Sequence, residues 1–384
     1  MSRRVNGAIK HRTLGRFSGP GSVTSDTARK VYAQIMNEFA AGVDRVEVHR
    51  EQKKIATEEG RTLFDLVKEY VKVKRRPDGL ELKESTKEAY LDMVLPGNVS
   101  KSGKPFANGH LYCIANKPAV QITAADVWDI YNAERKKSKR QTDYAMQVLR
   151  AVLRWNGIMI PNSPLSIETA GKHRIIIPGH KKKPHPIPLA QLGAWWNAAT
   201  FEANFGRMEK SRIGADGLRF MLLTGLRSGE VFGSKKHQTG LLVGQVNQAA
   251  KMMTSPDTKN RRDFDVMMPS QAIEILKVHC KDKLPLAKVF DVKDPGKTLA
   301  TINKRACVIG ISPHKLRHTF ASVAEDLVSA YTLKAMLNHI SDAGATGGYV
   351  GKSEAQLTKG WQAVADFIIE AGSESDRLLP EQVA

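Results

Sequence analysis

The sequence predicts a mainly α, multi-domain protein with a small antiparallel β-sheet in its C-terminal part. Three observations predict it. At 384 residues and 41% hydrophobic content the chain can bury more than one core. Apolar residues recur at helical spacing through most of its length. One short region, LLVGQVN, KMMTSPDTKN and RRDFDVMMP, breaks that pattern with three strand-like runs separated by turn residues.

The first 24 residues are rich in Arg, Lys, Gly and Ser. Asp26 can then cap a helix whose apolar positions Ala28, Val31, Ile35 and Phe39 run to Gly42. Residues 1–57 therefore form a small basic module, with a boundary near 58 where the chain turns polar and charged. From Leu63 a second unit, 62–165, is mainly helical, clearest in DYAMQVLRAVLRW. RKKSKRQ precedes that stretch, so Lys136, Lys137, Lys139 and Arg140 crowd the start of one helix, either as a phosphate-backbone footprint or as an ordinary solvated face. Residues 166–186 hold three prolines among lysines and histidines and suit an extended linker, in which His180 and His185 are solvated rather than metal-bound. Helical patterns resume in 187–384, interrupted only by the three strands.

Charge narrows the function. Lys and Arg number 59 against 39 Asp and Glu, the formal net charge is +20 and the pI is about 9.8. Such an excess favours a polyanionic partner, nucleic acid foremost. Cys113, Cys280 and Cys307 have no paired or metal-like spacing, which argues against a disulfide framework and a zinc site and for a reducing compartment. With no apolar run near the ~20 residues of a membrane span, the expectation is a cytoplasmic protein, nucleoid-associated, without membrane contact.

Three motifs carry chemistry. In HKLRHTF, His314 and His318 stand four apart, but Lys315 holds the place a zinc protease gives to Glu, and Arg317 adds a second cation, so a metal is disfavoured. Ser312 and Pro313 open a helix whose first-turn N–H groups favour an anion. Leu316, Phe320, Val323 and Leu327 form its apolar stripe, with His314 and Arg317 projecting away and free to meet a ligand. In FMLLTGLRSGE a helix ends at Gly225, and Arg227 begins a new turn three residues before Glu230, which can hold the guanidinium rigid for a phosphate or form a plain ion pair. In LNHISDAGATGGYVGK, His339 precedes a Gly-rich loop and Tyr349 follows it, either able to move or anchoring the C-terminal segment.

Together these elements resemble the tyrosine recombinase family, most closely the integrases of temperate phages and integrative elements. The family's order of Arg in T-G-L-R-x-x-E, Lys in a strand-linking turn, His-x-x-Arg, His or Trp, and Tyr is matched by TGLRSGE, DTKNRR, HKLR, LNH and GGYV. The resemblance implies a tyrosine-recombinase-like architecture: arm-site module 1–57, core-site-binding domain 62–165, linker 166–186 and catalytic domain 187–384. It implies Arg227 and Arg317 as phosphate clamps, His314 and His339 as proton-handling groups, Lys259 as general acid and Tyr349 as nucleophile, with Glu230 supporting and no cofactor or metal. Lys251, Arg261 and Arg262 are alternatives to Lys259, and the last two are also candidate DNA contacts. Further implied are a homotetramer on double-stranded attachment sites, a DNA-bending host factor and a directionality factor. The stretch WQAVADFIIEAG, whose apolar stripe is Trp361, Val364, Phe367 and Ile368, would dock either on a neighbouring subunit or on its own domain. Two departures stand: Tyr349 lies ten residues after His339, and a Trp frequent in the family is absent from SKKHQTGLLVGQ. Rival readings are a type IB topoisomerase-like enzyme and a non-catalytic DNA-binding or architectural protein descended from an integrase.

Overall fold

The computed structural model describes residues 2–5, 8–16, 22–41, 60–99, 105–177, 185–234, 239–256, 263–339 and 354–378. The chain divides into two compact units, 1–179 and 180–384.

The first unit opens with a hairpin that the sequence reading did not anticipate. Strand β1 (Ser2–Val5) pairs antiparallel with β2 (Ala8–His11) in the register Ser2↔His11 to Val5↔Ala8. Helix α1 (Ser25–Ala40) follows. Its N-cap is Thr24, whose hydroxyl accepts from the Thr27 N–H, so Asp26 sits in the first turn rather than at the cap. Of the expected apolar positions only Phe39 is buried, with the Arg12 guanidinium 5.7 Å from its ring centre.

A separate helical core runs from Leu63 to Ile175. Helices α2 (Leu63–Val73) and α4 (Ala124–Arg135) each start at a reciprocal cap, Thr62 with Asp65 and Thr123 with Asp126. Between them lies α3 (Glu84–Leu91). Ser138 caps the long α5 (Lys139–Trp155), which buries Ala145, Met146, Val148, Leu149, Val152 and Leu153. At ~25 cal/mol per Å² such a stripe, rather than propensity, holds a helix of this length. The stretch expected as an extended linker is folded in its first part: Ile175 is buried in this core and donates its N–H to the Pro164 carbonyl at 2.8 Å. His180 lies outside the described residues, whereas His185 begins the second unit's described chain.

In the second unit, α6 (Leu189–Phe205) packs between α7 (Glu209–Thr224) and the long C-terminal α13 (Glu354–Leu378). The approach of α6 to α13 is close, for a Cβ on Gly193 would stand 2.0 Å from the Ala371 carbonyl oxygen. A short α8 (Ser228–Val231) leads to the sheet of β3 (Val246–Asn247), β4 (Met252–Ser255) and β5 (Phe264–Met267), antiparallel in that order as expected. Met253 pairs with Val266 and both face the core, while Thr254 and Asp265 on the other face share a 2.6 Å hydrogen bond. Then come α9 (Ser270–Cys280), α10 (Gly296–Arg305), α11 (Pro313–Leu327) and α12 (Ala330–Met336). One core contains Trp195, Phe220, Phe320, Trp361, Val364 and Ile368. The C-terminal stripe thus packs on its own unit, except for Phe367, which is 37% exposed. No helix among the described residues is long and apolar enough to cross a membrane.

Candidate active site

Helix α7 ends where the sequence expects. Gly225 adopts φ +70°, a left-handed conformation that glycine takes without strain. Space requires glycine too, because a Cβ there would lie 2.5 Å from Cδ1 of Phe320. The chain then turns so that Arg227 becomes the N-cap of α8 and Glu230 its third residue. One carboxylate oxygen of Glu230 accepts the Arg227 backbone N–H at 2.7 Å and the other accepts Nη1 of the same arginine at 2.8 Å. The Glu230 side chain is 3% exposed and that of Arg227 23%, so a buried carboxylate fixes a guanidinium that still reaches solvent.

On α11, Ser312 is the N-cap, though its side chain makes no capping hydrogen bond, and Pro313 opens the first turn. Leu316, Phe320 and Val323 are buried; Leu327 is 40% exposed, so the expected stripe stops one turn early. Arg317 corrects a stronger expectation. It does not project freely but is 4% exposed. Nη1 donates to the Gly225 carbonyl at 2.7 Å, and Nη2 donates to the Leu337 carbonyl and lies 3.5 Å from Nε2 of His339. The apolar spacing of α11 places Arg317 off its stripe, but the α7–α8 turn and the end of α12 close over it, and no local pattern announces either.

His314, one turn earlier, is exposed, and its ring meets that of His318 edge-on at 4.9 Å between centres. The chain that enters the second unit is tied to the same helix, since the Ile187 N–H donates to Oγ1 of Thr319 at 2.9 Å and the His185 N–H to Nδ1 of His318 at 3.5 Å.

The cations act on one another. Burial first and the neighbouring Arg227 second, opposed by Glu230, together lower the Arg317 pKa to about 10; at neutral pH the guanidinium still carries its full charge. His339 titrates below the ordinary 6.5, first because of burial and then because of Arg317, Arg227 and Lys334. It is therefore neutral at pH 7 and can accept or donate one hydrogen bond at each nitrogen. An anion placed among Arg227, Arg317 and His339 would relieve this mutual repulsion.

The structure thus brings together Arg227, Glu230, Arg317 and His339, residues drawn from three motifs. Lys259, Arg261, Arg262 and Tyr349 lie outside the described residues, and Lys251 takes a left-handed φ of +51° just before β4. In the first unit Lys136, Lys137, Lys139 and Arg140 are exposed, and Lys137 pairs with Glu134 at 2.6 Å. Among the described residues no group of three or more His, Cys, Asp or Glu could hold a metal. Three participants escaped the sequence reading: the carbonyls of Gly225 and Leu337, which no side-chain pattern encodes, and Lys334, which lines a pocket with Glu325, Leu333 and His339.

No family model matches the chain, and no curated protein sequence matches it. Solved structures of integrases match the chain. A λ integrase tetramer bound to a Holliday junction is 14% identical, with 92% of this chain and 95% of that one covered and a TM-score of 0.46. The Tn1549 transposon integrase in complex with transposon right end DNA is 12% identical over 78% of this chain and 98% of that one, with a TM-score of 0.48. An integrase from mycobacterium phage Brujita is 14% identical over 78% and 92%, with a TM-score of 0.36. Likeness at this level carries no assignment of activity.

Proposed function

We propose that the chain is a site-specific DNA recombinase, an integrase that cuts and rejoins double-stranded DNA through a 3′-phosphotyrosyl bond to integrate or excise a phage or mobile element. One observation carries the reading: TGLRSGE, HKLR and LNH, far apart in sequence, place Arg227, Arg317 and His339 around one point, with Glu230 bracing the first.

A phosphodiester resists nucleophiles because it is anionic, so both guanidiniums would neutralise the non-bridging oxygens as charge grows in the transition state. Arg317 is held by two carbonyls and Arg227 by a buried carboxylate, and neither needs to reorganise during the step. Tyr349 would attack phosphorus and open the bond to the 5′ oxygen. Lys259 would give that oxygen its proton, with Lys251, Arg261 and Arg262 as alternatives. A free phenol has a pKa of about 10, so Tyr349 needs cations and a proton acceptor nearby; neutral His339 or the exposed His314 suits the second role. The covalent phosphotyrosyl link conserves the bond energy for rejoining, and no cofactor or metal enters the scheme.

The wider assignments belong to the same proposal: residues 1–57 as an arm-site module, 62–165 as the core-site-binding domain, 187–384 as the catalytic domain, and a homotetramer on paired sites in a bacterial cytoplasm, assisted by bending and directionality factors. Incubating the protein with a nicked suicide substrate, followed by a denaturing gel, tests the chemistry. A covalent protein–DNA band given by the natural chain and lost in Tyr349→Phe is expected. A chain that binds its site and never forms the band would instead be a DNA-binding relative without the reaction, and relaxation of supercoils without strand exchange would indicate a topoisomerase-like enzyme.

A further inference from the structure

Helix α5 buries Thr142, Ala145, Met146, Leu149, Val152 and Leu153 on one side, and its other side is polar and carries no exposed carboxylate. Arg140, Gln147, Arg150 and Arg154 are all exposed. At 3.6 residues per turn, spacings of seven, three and four put these four within an arc of about 80°. None of these four side chains makes a hydrogen bond or ion pair among the described residues. Lys139 opens the helix, and Lys136 and Lys137 extend the positive charge beyond its N-terminus. The one carboxylate between 136 and 155, Asp143, is 2% exposed. By contrast, α4 exposes Ala125, Asp129, Asn132 and Ala133, which would not attract a polyanion.

The order of residues on this face is informative. Gln147 stands midway between Arg140 and Arg154, about 10 Å of helix rise from each. A major groove is about 12 Å wide and admits an α-helix, with phosphates along both rims and base edges on its floor. Arginines at the two ends of a helix lying in that groove reach the rims. An uncharged amide at the middle reaches the floor, and a Gln amide pairs in bidentate fashion with N6 and N7 of adenine.

We infer that the exposed face of α5 is a sequence-reading surface for duplex DNA, with Gln147 as the residue that selects the base and Arg140, Arg150 and Arg154 as the phosphate contacts that hold the register. The inference rests on the reading of the chain as a DNA-processing enzyme, yet it concerns recognition and not cleavage.

The test uses the full chain and a pool of randomised duplexes. Binding selection with the natural protein yields its preferred sequence, and the same selection follows for Gln147→Ala and Arg150→Ala. Gln147→Ala is expected to keep its affinity for non-specific DNA and its salt dependence while losing preference at one or two adjacent positions by ten- to a hundredfold, the range of one good bidentate pair. Arg150→Ala is expected to bind every sequence more weakly, with a slope of log affinity against log salt shallower by about 1. Circular dichroism of both variants confirms the fold. Unchanged preference in Gln147→Ala, an unchanged slope in Arg150→Ala, or the absence of any selected sequence would overturn the inference, as would equal affinity of the natural chain for duplex RNA. The suicide-substrate gel separates the two ideas: a covalent band with unaltered Gln147→Ala preference sinks only this one, whereas a lost preference without a band sinks only the proposed chemistry.

Discussion

Arg317 donates from Nη1 to the carbonyl oxygen of Gly225 at 2.7 Å, across 92 residues of sequence, and at the same Gly225 the Phe320 ring, one turn further along Arg317's own helix, leaves no room for a Cβ. Position 225 therefore sets where the guanidinium points. Gly225→Ala would force a side chain into a left-handed backbone and into that ring. The two costs are each about 1–2 kcal/mol, so the variant should unfold in urea with a loss on the order of 3 kcal/mol. Adding Phe320→Leu should return part of it. A Gly225→Ala protein as stable as the natural one would show that the turn relaxes freely.

The Arg227–Glu230 pair predicts an asymmetry. Removal of Arg227 strands a carboxylate that is 3% exposed, whereas removal of Glu230 leaves a guanidinium at 23% that water can reach. Arg227→Ala should therefore cost about 3–5 kcal/mol, and Glu230→Ala clearly less. In a double-mutant cycle the pair should recover much of the Arg227→Ala loss. Equal single-variant costs would place the pair's energy in the capping turn and not in the buried charge.

His339 gives a pH test. Its pKa is lowered by burial and then by Arg317, Arg227 and Lys334. The unfolded chain takes up a proton near 6.5 that the folded chain refuses until lower pH, so stability falls as pH drops from about 6.5 through the His339 value and is fully present above 6.5. Histidine NMR should find the His339 midpoint below 6.5 in the free protein and moved upward when duplex DNA supplies negative charge among the arginines. A free-protein midpoint at or above 6.5 would contradict the crowding of Arg317, Arg227 and Lys334 around this imidazole.

Trp361 on α13 donates from Nε1 to the Thr224 carbonyl at 3.1 Å, immediately before the left-handed turn, and is fully buried. Trp361→Phe should lose that bond and some volume, with a cost of about 1–2 kcal/mol, while Trp361→Ala should lose 3–5 kcal/mol. If the turn depends on this support, both variants will also weaken any covalent DNA adduct, and Trp361→Phe will do so by more than its small stability loss explains.

What could be read from the sequence was local. TGLRSGE announced a helix stop, a new turn and an Arg with its carboxylate, since all three are encoded within seven residues. Three strand runs with turn residues between them announced the sheet. The burial of Arg317 was not readable, because the groups that enclose it are main-chain carbonyls of Gly225 and Leu337, and any sequence supplies carbonyls. The hairpin of β1 and β2 is only half-encoded: Asn6-Gly7 is a strong two-residue turn signal, but the flanking SRRV and AIKH lack an alternating apolar face. The fate of Trp361 stayed open for a different reason: an amphipathic stripe says that a helix will be covered, but not by which surface.

The packing of α13 against α6 has a consequence for biosynthesis. Helix α6 leaves the ribosome more than 140 residues ahead of the partner that covers its Gly193 face. The second unit cannot close by local zippering, and its folding must await one of the longest-range contacts in the chain. Until then Thr224 lacks its indole donor and the turn that aims Arg227 is unsupported. A nascent chain halted before Trp361 would carry Arg227 and Arg317 in the right order without the packing that supports their turn, so the proposed DNA chemistry would start only once synthesis has passed that helix.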